Sequence, residues 1–499
     1  MKSKINENSL SSVILNNGSV TILNSISSFI LNFVFALALG LELFGQITLI
    51  LSIASVIFSF GSLGLVSCIT RSLMMYVSLN KNYNAYITLI FFFGIVCSAL
   101  FFYPLYLLSL KLYSFESIYF KYILILFCIY IFIYFPYMIG VSILESNQKM
   151  KRYFYANLSS LIFKYLSIPF LFYFKVDLVM GLAIYFVIPQ IILLISIFHG
   201  LLKENLYRIS FSVSQNDFDN LYNLLIYTLK LIFVTISDAI LINYPIIFLS
   251  KYSLSEIGLF KLLYSIVNLG LLFPAFLGKS LLPLITDFYL KGKLNLFKRF
   301  FSLFEKSSFS VIFVVAICFI FCGNYFFSIF SESEILINYI IFVSLILYVL
   351  SGSFVGTVFG AVNKPEYISF CLVAGSLLNI VFIEVFKNLF NSAISIVLIS
   401  MLLAYFIQQS TLFYTAHRKK LITLNLNNKF LECFLLITSV LLVYLTENLI
   451  SEIYYKVIIN LFSMIFVLLI YYQIVIKYRL FDDFEIKQIK LFQTKIKII

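Results

Sequence analysis

Apolar runs of membrane-spanning length, each closed by charge or by clusters of Asn and Ser, recur from one end of the chain to the other. A helix crossing a bilayer needs about 20 mostly apolar residues. On that measure the pattern predicts spans at 18–40, 44–67, 84–108, 118–144, 157–174 and 179–202. After a polar stretch it predicts eight more, at 221–249, 258–285, 308–330, 335–362, 367–387, 392–414, 430–448 and 453–476. The expectation is an all-α membrane protein with about 14 transmembrane helices. Its first run, Gly18 to Gly40, is too long for a signal-peptide core and reads as a retained signal-anchor helix.

The runs repeat in order. Leu43-Phe44-Gly45 opens the second span and Glu256-Ile257-Gly258 the eighth, 213 residues further on, with Ser52-Ile53 recurring as Ser265-Ile266. Asn147-Gln148-Lys149 after the fourth span has its counterpart in Asn363-Lys364-Pro365 after the tenth. Because six spans separate the copies, both enter the membrane in one orientation. This predicts two six-helix lobes (parallel repeats) around a central cavity, related by an axis along the membrane normal. The expected organisation is an N-terminal lobe at 1–202, a cytoplasmic linker at 203–220, a C-terminal lobe at 221–414 and extra helices 13 and 14 at 430–476. A basic cytoplasmic tail at 477–499 is spaced to lie on anionic lipid. Pro136, Pro189, Pro245 and Pro274 fall within spans, where they either kink packed helices or serve as hinge points.

Composition agrees with the pattern: 62% of the residues are hydrophobic and 11% charged, against about 25% charged in a soluble domain. The net charge of +13 is dispersed through short loops, with no basic run interleaved with aromatics, which argues against nucleic acid as a partner. With the N-terminus inside, the cytoplasmic segments hold about 25 of the 35 Lys and Arg, so both termini are expected in the cytoplasm. Glu332, Glu334, Glu447 and Glu452 collect on the opposite side. The outer loops are too short for a catalytic domain.

The seven cysteines (Cys68, Cys97, Cys128, Cys318, Cys322, Cys371, Cys433) lie in or beside apolar spans without C-x-x-C spacing. They read as packed thiols, with no metal and no disulfide. His199 and His417 stand alone, and no nucleophile triad, Walker sequence or zinc helix is present. The expectation is a transporter with no catalytic residues and no cofactor.

Few charges remain at depth: Lys164 in the fifth span, Lys230 and Asp238 in the seventh, Lys279 late in the eighth, and Arg71 just past the second. A charge near the bilayer centre costs at least about 2.5–3.5 kcal/mol, so it usually faces a water-filled cavity or a partner. Arg71, Lys164, Lys230 and Lys279 together would make an electropositive cavity suited to phosphate or pyrophosphate. The alternative is that Arg71, Lys164 and Lys279, near the inner interface, extend to lipid headgroups. Asp238 lies too deep for that and is either a coupling-ion carboxylate or a hydrogen-bond partner of another helix.

Two six-helix repeats with two further helices resemble the multidrug, oligosaccharidyl-lipid and polysaccharide (MOP) exporter superfamily, and within it the O-antigen flippases of the Wzx type. The residues carrying the resemblance are Phe60-Gly61-Ser62-Leu63-Gly64-Leu65 through Ile69-Thr70-Arg71, then Ser237-Asp238 to Ile242, Glu256-Ile257-Gly258-Leu259-Phe260, and Leu282-Pro283-Leu284-Ile285. Many relatives follow the seventh-span Asp with Arg. Here Ala239 follows, so a role needing that cation is not carried over. The resemblance implies a bacterial inner-membrane flippase for an undecaprenyl-pyrophosphate-linked oligosaccharide, driven by an ion gradient. Its partners would be the lipid-linked substrate, membrane lipids, and a polysaccharide polymerase with chain-length machinery. A multidrug antiporter of the same fold is the alternative, though a cavity for organic cations should be acidic and aromatic. A polymerase would need a large outer loop.

Overall fold

The computed structural model describes residues 7–61, 83–94, 136–147, 149–173, 183–208, 215–290, 292–330, 336–362, 364–422, 426–450 and 452–477, with residues 69, 72, 73, 76, 96, 133 and 210 besides. Among them every regular element is helical. The order is α1 (Glu7–Gly61), α2 (Asn84–Gly94), α3 (136–146), α4 (Met150–Tyr173), a π-helical turn (Ala183–Val187), α5 (Ile188–Lys203), α6 (Gln215–Leu249) and α7 (Leu254–Leu290). Then come α8 (Leu294–Phe327), α9 (Leu336–Leu350), α10 (Val355–Ala361), α11 (Glu366–Phe386), α12 (Ala393–Arg418), α13 (Leu426–Leu449) and α14 (Ile453–Lys477). Nine stretches among the described residues are long and apolar enough to cross a membrane. The third and fourth predicted spans lie largely outside the described residues, as does the tail from residue 478.

The chain forms two compact units, Met1–Gly258 and Leu259–Ile499. The division falls inside α7.

In the first unit the first two spans are two helices, the two arms of α1, which meet at the non-helical residue Gly40. Gly40 has φ 79°, a left-handed conformation that a side chain disfavours, and it alone replaces the short loop expected there. The second arm of α1 packs on α6 and meets the first turn of α7. That approach is made through glycines: a Cβ on Gly45 would overlap the Leu254 carbonyl, and one on Gly258 the Leu41 carbonyl. These are the glycines that anchor the internal repeat. Small residues let helix backbones approach where lipid offers no hydrophobic drive to association.

The other end of this unit is a core of Ile69, Leu73, Tyr86, Ile87, Ile90, Ile139 and Ile143, packed under α5 and the start of α6. The segment after α5 is laced to it. Tyr83 Oη donates to the Leu206 carbonyl at 2.8 Å, and Asn84 Oδ1 accepts from the Arg208 backbone N–H at 3.1 Å. Thr88 Oγ1 accepts from the Ser210 N–H at 3.3 Å. Residues 215–220 are already the first turns of α6, where Tyr76 Oη donates to Asp217 at 3.2 Å and accepts from Asn220 at 2.6 Å. The linker is therefore fastened along most of its described length. Lys149 and Arg152 both reach Glu204, at 3.3 and 2.8 Å. Hydrogen bonds from Arg152 and Lys149 hold the Glu204 carboxyl below its ordinary value, so the link persists at neutral pH and is lost as pH falls through that lowered value.

The second unit is built on phenylalanine. Phe297, Phe301, Phe309, Phe313 and Phe321 of α8 are buried with Phe354, Phe359 and Phe413. Neighbouring rings are tilted against one another, with Phe301 and Phe354 centroids 5.1 Å apart and Phe313 and Tyr471 4.4 Å apart. The tenth predicted span is not continuous: α9 stops at Leu350, residues 351–354 form turns, and α10 resumes at Val355. Gly352 admits the ring of Phe413, and the Ser351 carbonyl accepts from Ser308 Oγ of α8 at 2.7 Å. Serines elsewhere bond back to their own helices, as Ser344 Oγ does to Ile340 and Ser400 Oγ to Ile396. That is why apolar spans tolerate them.

The glycine contact yields a prediction. Gly45→Ala and Gly258→Ala each overpack a backbone–backbone approach and should cost about 1–3 kcal/mol, lowering the unfolding temperature in detergent by several degrees. Gly200→Ala, with open space around its Cβ position, should not. Unchanged unfolding temperatures for the first two would show that α1 and α7 do not depend on this contact.

Candidate functional site

In the first unit the polar residues of α4 fall on one side. Asn157, Ser160, Lys164 and Ser167 are spaced three or four apart and share a face. Asn157, Ser160 and Ser167 are buried, whereas Ile162, Tyr165 and Leu166 are exposed. The polar face is bonded to its neighbours: Asn157 Nδ2 donates to Asn24 Oδ1 of α1 at 2.7 Å, and Ser160 Oγ to the Pro189 carbonyl of α5 at 3.0 Å. Lys164 follows one turn on. Its ammonium lies 5.9 Å from the ring centre of Tyr185, a cation–π distance.

Tyr185 sits in the π-helical turn that precedes α5, and its ring meets Phe35 of α1 edge-on at 4.5 Å. The turn ends where Pro189 enters α5, without a backbone N–H to continue a regular ladder. Insertions of this kind inside membrane helices are frequent at functional sites. Lys164 thus faces the interior of the first unit rather than the Ile162, Tyr165 and Leu166 side, and among the described residues no carboxylate pairs with it.

On α6, Phe218, Tyr222, Ile226, Leu229 and Phe233 form an exposed apolar stripe. Asn243 and Ser237 are buried, and Asn243 Nδ2 reaches Ser55 of α1 at 3.5 Å. Asp238 is exposed between the buried Ser237 and Ala239. A carboxylate within an apolar helix needs water, a partner or a proton. Lys230 lies on the same helix eight residues earlier, about 12 Å away along the axis, so the two do not form a local pair.

In the second unit α7 is heavily buried from Leu259 to Gly270, with one open face. Lys261 is partly exposed and Asn268 and Ala275 exposed. With Lys279 these positions fall at intervals of seven, seven and four residues, which is one side of a helix. Lys261 was missed by the sequence reading because it lies only three residues inside the predicted eighth span, where a lysine reads as interfacial. In the structure α7 begins at Leu254, and Lys261 lies in the apolar run Leu254–Ala275.

Of the residues singled out from the sequence, Lys164 is joined to an aromatic partner and Asp238 is placed on an open face. Lys230 and Lys279 are placed on α6 and α7, with their side chains outside the described set, and Arg71 lies outside the described residues. Among the described residues no group of three or more His, Cys, Asp or Glu could hold a metal, and Cys318, Cys322, Cys371 and Cys433 are free.

No protein-family model and no curated protein matches this chain in sequence. Solved structures do match in fold. The lipid II flippase MurJ in an inward closed conformation aligns with a TM-score of 0.66 at 16% identity, over 93% of this chain and 100% of that one. A multidrug resistance MATE family transporter of the MOP superfamily in an inward-facing conformation gives 0.64 at 14% identity, over 82% and 98%. A MOP superfamily transporter from Pyrococcus furiosus, described as having a binding pocket of reverse polarity, gives 0.62 at 14% identity, over 84% and 98%. The chain is a multi-pass helical membrane protein with the fold shared by these MOP superfamily transporters and flippases.

Proposed function

We propose that the protein is a flippase that carries an undecaprenyl-pyrophosphate-linked oligosaccharide, an O-antigen or similar repeat unit, from the inner to the outer leaflet of a bacterial inner membrane. The observation carrying this reading is Lys164: a cation on an interior helix face, against an aromatic ring, with no carboxylate partner among the described residues. A desolvated ammonium without an acid calls for an anionic ligand, and a phosphate-bearing headgroup is one. In the second unit Lys261 and Asn268, on the open face of α7, offer a cation and an amide suited to a phosphate-bearing ligand.

In this reading residues 1–202 and 221–414 are two lobes that alternate access, both termini are cytoplasmic, and an ion gradient drives the cycle with Asp238 as the coupling carboxylate. Arg71 and Lys230 complete the electropositive cavity. A polysaccharide polymerase and its chain-length partners would consume the product. The multidrug reading has the fold in its favour, but the unpaired interior charge described in the first unit, Lys164, is a cation, the wrong polarity for organic cations.

Deleting the gene should leave lipid-linked oligosaccharide on the cytoplasmic leaflet and remove the surface polymer. Single repeat units reaching the surface unpolymerised would instead make the chain the polymerase. Within the site, Lys164→Ala should reduce flipping at least about tenfold, the loss expected from one hydrogen bond to a charged group at about 1.5–3 kcal/mol. Lys164→Arg should retain most activity, and Lys230→Ala should behave like Lys164→Ala. Wild-type flipping by a well-inserted Lys164→Ala protein would remove Lys164 from the site.

A further inference from the structure

The second unit buries a set of ionisable groups that the transport reading does not use. Five elements converge on it: α8 with Glu305, Ser308, Phe309 and Ser310, α9 with Tyr348, α12 with Phe413, α13 with Lys429 and Glu432, and α14 with Tyr471. Lys429 Nζ pairs with Glu305 Oε1 at 2.5 Å. The same ammonium lies 4.4 Å from the ring centre of Phe309 and 3.9 Å from that of Phe413 on α12. Glu432 is 3% exposed. Its Oε2 accepts from Tyr348 Oη at 2.9 Å and its Oε1 from Tyr471 Oη at 2.8 Å.

Among the described residues the second carboxylate has no cation of its own. Lys429 is committed to Glu305, and Lys306, next to Glu305 on α8, also acts on Glu305. The groups facing Glu432 are Tyr348, Tyr471, Lys429 and Glu305, with Cys433 beside it on α13. A buried carboxylate served by two neutral phenols and one shared lysine is the arrangement in which a proton is most readily held.

The hydrogen bonds fit both protonation states. Tyr471 Oη lies 2.8 Å from Ser310 Oγ as well as 2.8 Å from Glu432, yet it has one proton to give. With Glu432 ionised, Tyr471 donates to the carboxylate and Ser310 can donate to Tyr471. With Glu432 protonated, its O–H donates to Tyr471 Oη and Tyr471 donates to Ser310, while Tyr348 still donates to the other oxygen. The heavy atoms need not move, and each bond in the chain from Glu432 through Tyr471 to Ser310 reverses direction.

We propose that Glu432 is a proton-binding site that takes one proton from water and releases it again, and that its charge sets how firmly α13 and α14 are held to α8 and α9. Ionised, it makes two charge-assisted bonds, each about twice as strong as a neutral one. Protonated, it makes neutral bonds and the C-terminal pair is held less tightly. The site borders the break in the tenth span: Tyr348 lies three residues before Ser351, whose carbonyl is taken by Ser308. Discontinuous membrane helices are where transporters place ion sites. The inference stands apart from the identity of the cargo.

The test is infrared difference spectroscopy of the whole protein in lipid nanodiscs, acid minus alkaline. A protonated-carboxyl C=O band should appear, vanish in Glu432→Gln and persist in Glu305→Gln. Tyr471→Phe removes a donor to the carboxylate, so it should keep the band and move its midpoint toward alkaline pH. Absence of a titrating band in wild type, or a band that survives Glu432→Gln, would overturn the proposal. If Glu432→Gln fails to fold, a Tyr471→Phe midpoint identical to wild type would overturn it instead.

Discussion

A polar group carried into a bilayer has to be answered by something other than water, and this requirement organises the structure at every scale. The backbone answers it by making every regular element among the described residues a helix. Serine and threonine answer it by bonding to the carbonyl one turn back, as Ser52 Oγ does to Thr48 at 2.8 Å and Thr228 Oγ1 to Leu224 at 2.7 Å. Where a helix breaks, a neighbour supplies the missing partner, as Ser308 does for Ser351. Ionised side chains divide by the same test. Glu305, Lys429 and Glu432 are answered by one another and by phenols, so they fasten helices together. Lys164, Lys261 and Asp238 have no opposite charge beside them among the described residues.

The lengths of apolar runs made the fold class legible, because bilayer thickness sets span length and few other constraints produce runs of this size. The breaks were less legible. Gly40 does end the first span, but the short loop expected after it is missing, since one residue at positive φ turns the chain into the next helix. Ser351-Gly352-Ser353 looked like part of a span because Ser and Gly are tolerated in membrane helices. Its turns depend on Phe413 and Ser308, which are distant in sequence. The same holds for the π-helical turn at Ala183–Val187, whose residues are individually ordinary.

Charge was legible in the middle of spans and misleading at their ends. Lys164 and Asp238 stood out because apolar residues surround them in sequence. Glu305 precedes the predicted ninth span and Glu432 falls within the first turn of the predicted thirteenth, so both read as interfacial. Helix α8 in fact starts at Leu294, which places Glu305 eleven residues into a continuous helix and against α13. Lys261 was hidden for the same reason. A window of hydropathy marks where a helix can enter lipid, but it cannot say how far the helix continues beyond, and that continuation decides whether a terminal charge is packed or free.

The repeat gives the last step. Gly45 and Gly258 were paired by their position in two copies of one pattern, and in the first unit the segments carrying them lie against each other. When a motif recurs and its copies meet, each must fit the other's surface, so a side chain tolerated in one copy would still have to clear the backbone of the second. A glycine in both copies satisfies that condition in the simplest way, by letting two backbones approach with nothing between them. The weak residue-by-residue match of the two halves is then no surprise, since away from this contact each half packs against its own neighbours: Tyr86, Ile87 and Ile90 in one unit, and a phenylalanine core in the other.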